Sequence, residues 1–370
     1  MFRIGFTTDV RGHLDHRWYG GPAGRRTHEQ GRGRRRAGRH RGGRTIFLEC
    51  HGSGGPTVIL LSGFGKAGDI WQVASAYPPS VASGVASFTR VCSYDRPGSY
   101  VVTVEQNGRR IEAPSPDQYR PARGNAVASN TPVDGTQVVT ELHQLLAVAG
   151  VPAPFVLVGH SLGGLLSQLY ARRYPNQVTG MVLVDPPTPN LRTFLSTSAW
   201  AGAFQSQLDP GPSVIAGYVN ERYRVETIFD EINGAGPLPS VPVTYLAATI
   251  KPPLDQLPPA DQARALEVMT QLPVAAAAYI HTIPNARFVP VPDTTHYIQS
   301  ECPDVVIAAV RDAAANRRSR SPQPRRRCPR APEPEQGTPP SAPRLPTQNV
   351  TPSADSPCRL PGGRASGTWC

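Results

Sequence analysis

One serine sits between glycines in Gly159-His160-Ser161-Leu162-Gly163, directly after the apolar run PFVLVG and directly before LGGLLSQLYARRYP. A hydroxyl in that position could attack a carbonyl carbon and form an acyl-enzyme. A serine is a weak nucleophile at its own pKa, however, so a base must lie within hydrogen-bond reach and must itself be oriented by a third group. In a chain with 35 glycines a bare G-x-S-x-G also arises by accident, and its surroundings must carry the argument.

Nine histidines are candidates for the base. His13, His16, His28 and His40 belong to an arginine-rich leader, and His51 opens the loop after the first core strand. The apolar spacing around His143 puts it inside a helix, away from the strand ends, and His160 is expected to point off the site. Two remain. His296 follows the strand-like RFVPVP on the short turn PDTTHY, at the sheet edge that carries Ser161, whereas His281 ends a helix on the other side. His296 is therefore the expected base.

The oxyanion of a tetrahedral intermediate needs donors fixed where charge develops. One is the N–H of Leu162, at a helix N-terminus whose dipole favours negative charge. The second is expected from Phe64, in the turn after TVILLSG, where Gly63 and Gly65 let the backbone approach closely.

These groups need a scaffold, and the chain supplies one from Thr45 onward. TIFLEC, TVILL, the run around RVCSY, PFVLVG, TGMVLVD, VPVTYLAATI and RFVPVP read as strands. Residues 135–149 have apolar positions at helical spacing, closed by Gly150, and helices are also expected after Ser161, over ALEVMTQLPVAAAAYIHTI and over CPDVVIAAVRDAAA. Short runs apolar on both faces, alternating with helices, imply a mostly parallel sheet covered on both sides. In such a sheet, ligands bind at the carboxyl ends of the strands, where Ser161 lies. The alternation stops over about 187–240, which holds two weakly helical pieces and is expected to form a small helical cap.

Charge is unevenly spread. The net charge of +11 comes from residues 1–44, with 12 Arg against 3 acids, and residues 317–370, with 10 Arg against 3 acids. Between them the chain is mildly acidic. Both tails, 1–44 and 316–370, are too poor in aliphatic residues to form a core and are expected to be disordered, leaving 45–315 as the folded domain. They could attract polyanions, but without interleaved aromatics they argue against a nucleic-acid arm. Six cysteines with no C-x-x-C give no metal signature, and nothing in the sequence calls for a cofactor. With no secretory signal and no long apolar span, the expectation is a cytoplasmic protein, with export left open and oligomeric state undetermined.

Four motifs in order, SYDRPG (93–98), GHSLGG (159–164), VLVDP (182–186) and THYIQ (295–299), resemble the α/β-hydrolase family over roughly residues 45–315. The resemblance implies Ser161 as nucleophile, His296 as base, Phe64 and Leu162 as oxyanion donors, and a cap after the sixth strand. The oxyanion turn departs from the family's frequent His-Gly in reading Ser62-Gly63, which backbone donors tolerate. The third member has two candidates. The family usually takes its acid after the penultimate strand, where Asp255 lies displaced in AATIKPPLDQLPP. Some relatives take it from the preceding strand end, here Asp185, and the rigid strand-end platform favours Asp185. Asp293 reads as a turn residue, and Asp95 and Arg96 as structural residues closing the turn of SYDRPG.

The resemblance also sets the strands of Cys50 and Cys92 side by side, where burial in the reduced state is expected unless the chain is exported. The function expected is a serine hydrolase acting on a small, apolar carboxylic ester. Leu195, Trp200, Phe204, Leu208, Ile215 and Tyr218 of the cap either line its pocket or only pack the cap down. The alternatives are a non-catalytic binding protein of the same fold and a polyanion-binding protein driven by its tails.

Overall fold

Runs such as TVILL and VTGMVLV, apolar on both faces, are satisfied only in the interior of a sheet covered on both sides. They occupy that place in the computed structural model of the chain, which describes residues 3–5, 34–39, 45–73, 79–250, 254–255 and 257–315, with backbone alone for the first two stretches. In chain order the elements begin with β1 (Arg3–Gly5), β2 (Arg34–Arg39), β3 (Thr45–His51), β4 (Thr57–Leu61), α1 (Val81–Ala86) and β5 (Val91–Tyr94). Four short strands follow, β6 (Tyr100–Val101), β7 (Thr103–Gln106), β8 (Arg109–Glu112) and β9 (Arg120–Pro121), which pair as β6 with β9 and β7 with β8. Then come α2 (Gly135–Val148), β10 (Phe155–His160), α3 (Leu162–Arg173), β11 (Val178–Val184), α4 (Thr197–Leu208), α5 (Val225–Gly234) and β12 (Val243–Ala248). The chain closes with α6 (Pro259–Ile280), β13 (Ala286–Val291), α7 (Ile298–Glu301) and α8 (Pro303–Ala314).

The main sheet has the order β1-β2-β3-β5-β4-β10-β11-β12-β13. β3 runs antiparallel to both neighbours, and every pairing from β5 to β13 is parallel. Successive residues of one strand enter opposite cores: Leu157 and Leu183 pack with α2 and α3, while Val156, Val158, Val182 and Val184 pack with α1 and α8 through Val306 and Val310. The mostly parallel, doubly covered α/β fold expected from the sequence is the one observed. The register sets Leu61 beside Gly159 and His160 beside Val184, so β4, β10 and β11 end level with one another. Everything placed just after those ends meets at one edge.

The cap region holds a 3-10 turn (Leu191–Phe194), α4 and α5, the last two being the expected helical pieces. Trp200 sits edge-on to Phe204 and Phe229, with ring centroids 4.8 and 4.9 Å apart, and Tyr218 donates its hydroxyl to Ser99 O at 2.6 Å. Leu208 is exposed. Trp200 and Phe204 thus hold the cap together and Tyr218 ties it down. α6 starts six residues earlier than expected, because Pro259 at its first position needs no hydrogen-bond partner for a missing N–H.

Within residues 1–44, the backbone of Arg34–Arg39 pairs antiparallel with β3, and Arg3–Gly5 pairs with Arg34–Arg39 in turn. An edge strand offers unpaired N–H and C=O groups that accept an extended chain whatever its side chains. The remainder of 1–44, and all of 316–370, lies outside the described residues. The structure corrects the expectation of reduced cysteines: Cys50 and Cys92 are disulfide-bonded. The antiparallel register sets them directly opposite each other with Cα atoms 4.1 Å apart. Among the described residues, no helix is long and apolar enough to cross a membrane.

The cystines are separated by 42 residues, and loop-closure entropy for such a span corresponds to about 4 kcal/mol. The double variant Cys50→Ser/Cys92→Ser should lose stability on that order in urea denaturation. Wild-type protein unfolding at the same urea concentration with and without dithiothreitol would contradict a stabilising role for the bond.

Candidate active site

Ser161 follows β10 and caps α3 with φ 51° and ψ −123°, a backbone conformation that L-residues rarely adopt. Such strain costs about 1–3 kcal/mol and persists only where the surroundings enforce it. Here close packing enforces it. A Cβ on Gly163 would stand 2.1 Å from Leu61 O, one on Gly159 would stand 2.4 Å from Gly163 O, and one on Gly164 would stand 2.6 Å from the Pro186 Cβ. The glycines of the motif let the turn press against the ends of β4 and β11, and the N–H of Ser161 donates to Val184 O at 3.1 Å. The side chain of Ser161 makes no capping hydrogen bond to its own helix.

His296 lies on the turn after β13. That turn is fixed by the N–H groups of Thr249 and Ile250, which both donate to Thr294 O, and by Glu301, which accepts from the Thr295 N–H at 2.7 Å. The Nδ1–H of His296 donates to Asp185 Oδ2 at 2.8 Å. Nε2 is then left with the lone pair of a base. Asp185 follows β11 with φ 49°, is 7% exposed, and its second oxygen accepts the Ala248 N–H at 3.0 Å. The structure thus brings Asp185 to His296, whereas Asp255 is exposed in the turn before α6 and His281 is exposed at that helix's end. Asp293 occupies a turn at φ 59°, as expected.

Phe64 and Leu162 fall on the two turns that flank Ser161. Neither of their N–H groups has an acceptor among the described residues, which leaves both available to an incoming oxyanion.

Two residues set aside in the sequence have larger parts here. His160 is not turned away from the site: its ring lies 4.6 Å from that of His296, and its Nε2–H donates to His296 O at 2.9 Å. Strand alternation sends its side chain to the face that the His296 turn crosses, a tertiary contact with no sequence signal. Burial, with His296 close by, holds its imidazole well below the ordinary histidine pKa, so it is neutral. A Cβ on Gly63 would meet its Nδ1 at 2.8 Å, and this close approach requires glycine there. Arg96 does more than close a turn. It is 2% exposed and donates through Nη1 to Ser62 O at 2.7 Å and through Nη2 to Gly63 O at 2.6 Å. Asp95 binds the N–H of Gly68 at 3.0 Å and the guanidinium of Arg123.

A family model described as the alpha/beta hydrolase family matches residues 58–309. The uncharacterized protein YqjL of Bacillus subtilis (strain 168) is 27% identical over 39% of this chain and 44% of its own length. A putative carbamate hydrolase, RutD of Escherichia coli O1:K1 / APEC, is 32% identical over 35% of this chain and 37% of its own. The matched segment therefore spans less than half of either relative. Among solved structures, a thermophilic esterase from Thermogutta terrifontis aligns with 74% of this chain and 93% of that chain, at 18% identity and a TM-score of 0.44.

The depressed pKa of His160 has a direct consequence for stability. Below the ordinary pKa near 6.5 the unfolded chain takes up a proton that the folded chain refuses, so stability falls as pH falls from that point. His160→Gln, which keeps a side-chain donor but does not titrate, should flatten this limb in urea unfolding. An unchanged slope would mean that other groups generate it.

Proposed function

The chain belongs to the alpha/beta hydrolase family, and from that premise we propose that it is a serine hydrolase cleaving the carboxylic ester of a small apolar substrate. The observation that carries this is the hydrogen bond between His296 Nδ1 and Asp185, at the same strand ends that hold the strained Ser161. In the proposed cycle Ser161 Oγ attacks the ester carbonyl carbon while His296 Nε2 takes its proton. The carbonyl oxygen becomes an oxyanion facing the N–H groups of Phe64 and Leu162, where the N-terminus of α3 adds a favourable dipole. Collapse of the intermediate expels the alcohol, which receives the proton from His296. Water, deprotonated by the same imidazole, then attacks the acyl-enzyme and releases the acid and free Ser161. Asp185 orients the imidazole throughout and stabilises its charged form.

The roles of Ser161, His296 and Asp185 are supported by placement, and an intact set of this kind counts against a binding protein without activity. Polyanion binding would depend on tails of which only Arg3–Gly5 and Arg34–Arg39 are among the described residues. The name of one relative, a putative carbamate hydrolase, makes carbamates the second class to assay, since they present the same carbonyl to Ser161.

Wild-type protein should react with a fluorophosphonate probe and hydrolyse p-nitrophenyl esters, and Ser161→Ala should do neither. Labelling that survives in Ser161→Ala would remove the serine from the mechanism. Asp185→Asn should lower kcat by about 10⁴-fold, while Asp255→Asn leaves it within about twofold. Equal losses in the two variants, or loss only in Asp255→Asn, would reassign the acid.

A further inference from the structure

Phe64, whose N–H is assigned to the oxyanion, lies between two peptide groups, and each is held by one member of a single buried ion pair. The carbonyl of the Gly63–Phe64 peptide accepts from Arg96 Nη2 at 2.6 Å. The N–H of the Phe64–Gly65 peptide is bound by Glu221 Oε1. Arg96 and Glu221 are joined twice, Nε to Oε2 and Nη2 to Oε1, each at 3.0 Å, and each residue is 2% exposed. Tyr223 completes the cluster by donating its hydroxyl to Glu221 Oε2 at 2.8 Å, and its ring stands edge-on to that of Phe64. Glu221 and Tyr223 belong to the segment between α4 and α5, while Arg96 follows β5.

In a planar trans peptide the C=O and N–H point in opposite directions. A guanidinium on Gly63 O therefore turns the Phe64 N–H to the far side of the peptide, away from Arg96. The positive charge on the carbonyl also polarises the peptide and strengthens its N–H as a donor. Glu221 fixes the next peptide, so both planes adjoining the Phe64 Cα are set. The same carboxylate engages the Gly65 N–H, which leaves Phe64 as the donor free to face substrate.

We propose that Arg96 and Glu221 are positioning residues that set the Phe64 side of the oxyanion hole, and that through Glu221 the hole is complete only when the segment between α4 and α5 is docked. This rests on Ser161 acting as the nucleophile. An arginine is needed because its planar fork reaches two adjacent carbonyls, Ser62 O and Gly63 O, while still facing a carboxylate, whereas the single ammonium of lysine is a point charge on a flexible stem. Arg96 touches no substrate in this scheme; it acts through the backbone.

The test uses two variants and p-nitrophenyl butyrate. Arg96→Lys keeps the charge opposite Glu221 but loses the fork. The double variant Arg96→Met/Glu221→Leu removes both charges together, a replacement that buried ion pairs often tolerate without loss of stability. With folding checked by near-ultraviolet circular dichroism and active sites counted by fluorophosphonate titration, kcat per active site should fall about 10-fold in Arg96→Lys. It should fall about 100-fold or more in the double variant, as when an oxyanion donor is lost, with KM within about threefold. Affinity for a trifluoromethyl ketone, which forms an anionic tetrahedral adduct with the serine, should fall in parallel with kcat. The pH dependence of kcat/KM should stay in place, because His296 is untouched.

A purely structural part for the pair would reduce the folded fraction and leave turnover per folded site unchanged. Folded variants with kcat within threefold of wild type, or with the loss confined to KM, would overturn the proposal, and if the double variant does not fold, Arg96→Lys alone decides. Failure of the premise has a separate signature: wild-type protein would show no Ser161-dependent labelling and no hydrolysis.

Discussion

The backbone of Ser161 is held at φ 51° and ψ −123°, and the rest of the site follows from that constraint. A turn of this shape lifts the serine out of the line of β10 and starts α3 at once, so the hydroxyl and the first free N–H of the helix arise from adjacent residues. The conformation is costly for an L-residue and is paid for by contact: glycines at 159, 163 and 164 let the turn lie against the Leu61 carbonyl on one side and Pro186 on the other. These contacts reach the ends of β4 and β11. The Phe64 turn and Asp185 are therefore gathered by the packing that strains Ser161.

Around this point several polar and charged side chains are buried and bound to neighbours. Arg96 binds the carbonyls of Ser62 and Gly63, and Asp95 beside it binds Arg123, which also reaches Glu49 on β3 and lies over the Phe47 ring at 3.8 Å. Burial alone would push the Glu49 carboxyl up, but hydrogen bonds from His51 and Gln72 and the charges of His51 and Arg123 bring it down to about 2. Asp69 accepts two backbone N–H groups from residues 102 and 103. Buried pairs of this kind add little net stability, because desolvation offsets their attraction. Their effect is on geometry, since a buried charge that loses its partner is expensive and competing loop conformations are thereby excluded.

The histidine is positioned by different means. Its turn takes two N–H donors from the end of β12 and a carboxylate from α7, and its own carbonyl is held by His160. Asp185 is fixed by the Ala248 N–H, again from the end of β12. His296 and Asp185 thus share one anchoring strand, although 111 residues separate them in sequence. The parallel register of β11, β12 and β13 is what converts that separation into a hydrogen bond.

Much of this was legible in the sequence. Runs apolar on both faces and intervening helical spacing specify a covered parallel sheet, because short-range pattern reports burial directly. The turns at Ser161 and His296 follow, since glycine spacing and strand ends are local features, and so does the placement of Phe64 and Leu162 on the flanking turns. The choice between Asp185 and Asp255 was not local, because it depends on how far a proline-rich loop reaches, and only the folded chain placed Asp185 against His296. The same holds for His160, whose neighbour is 136 residues away, for Arg96 with Glu221, and for Cys50 with Cys92. Residue pattern determined which elements form and where reactive groups can stand. Tertiary packing decided which of those groups meet, because a contact between distant residues is fixed by strand register and loop path rather than by either residue's own neighbours.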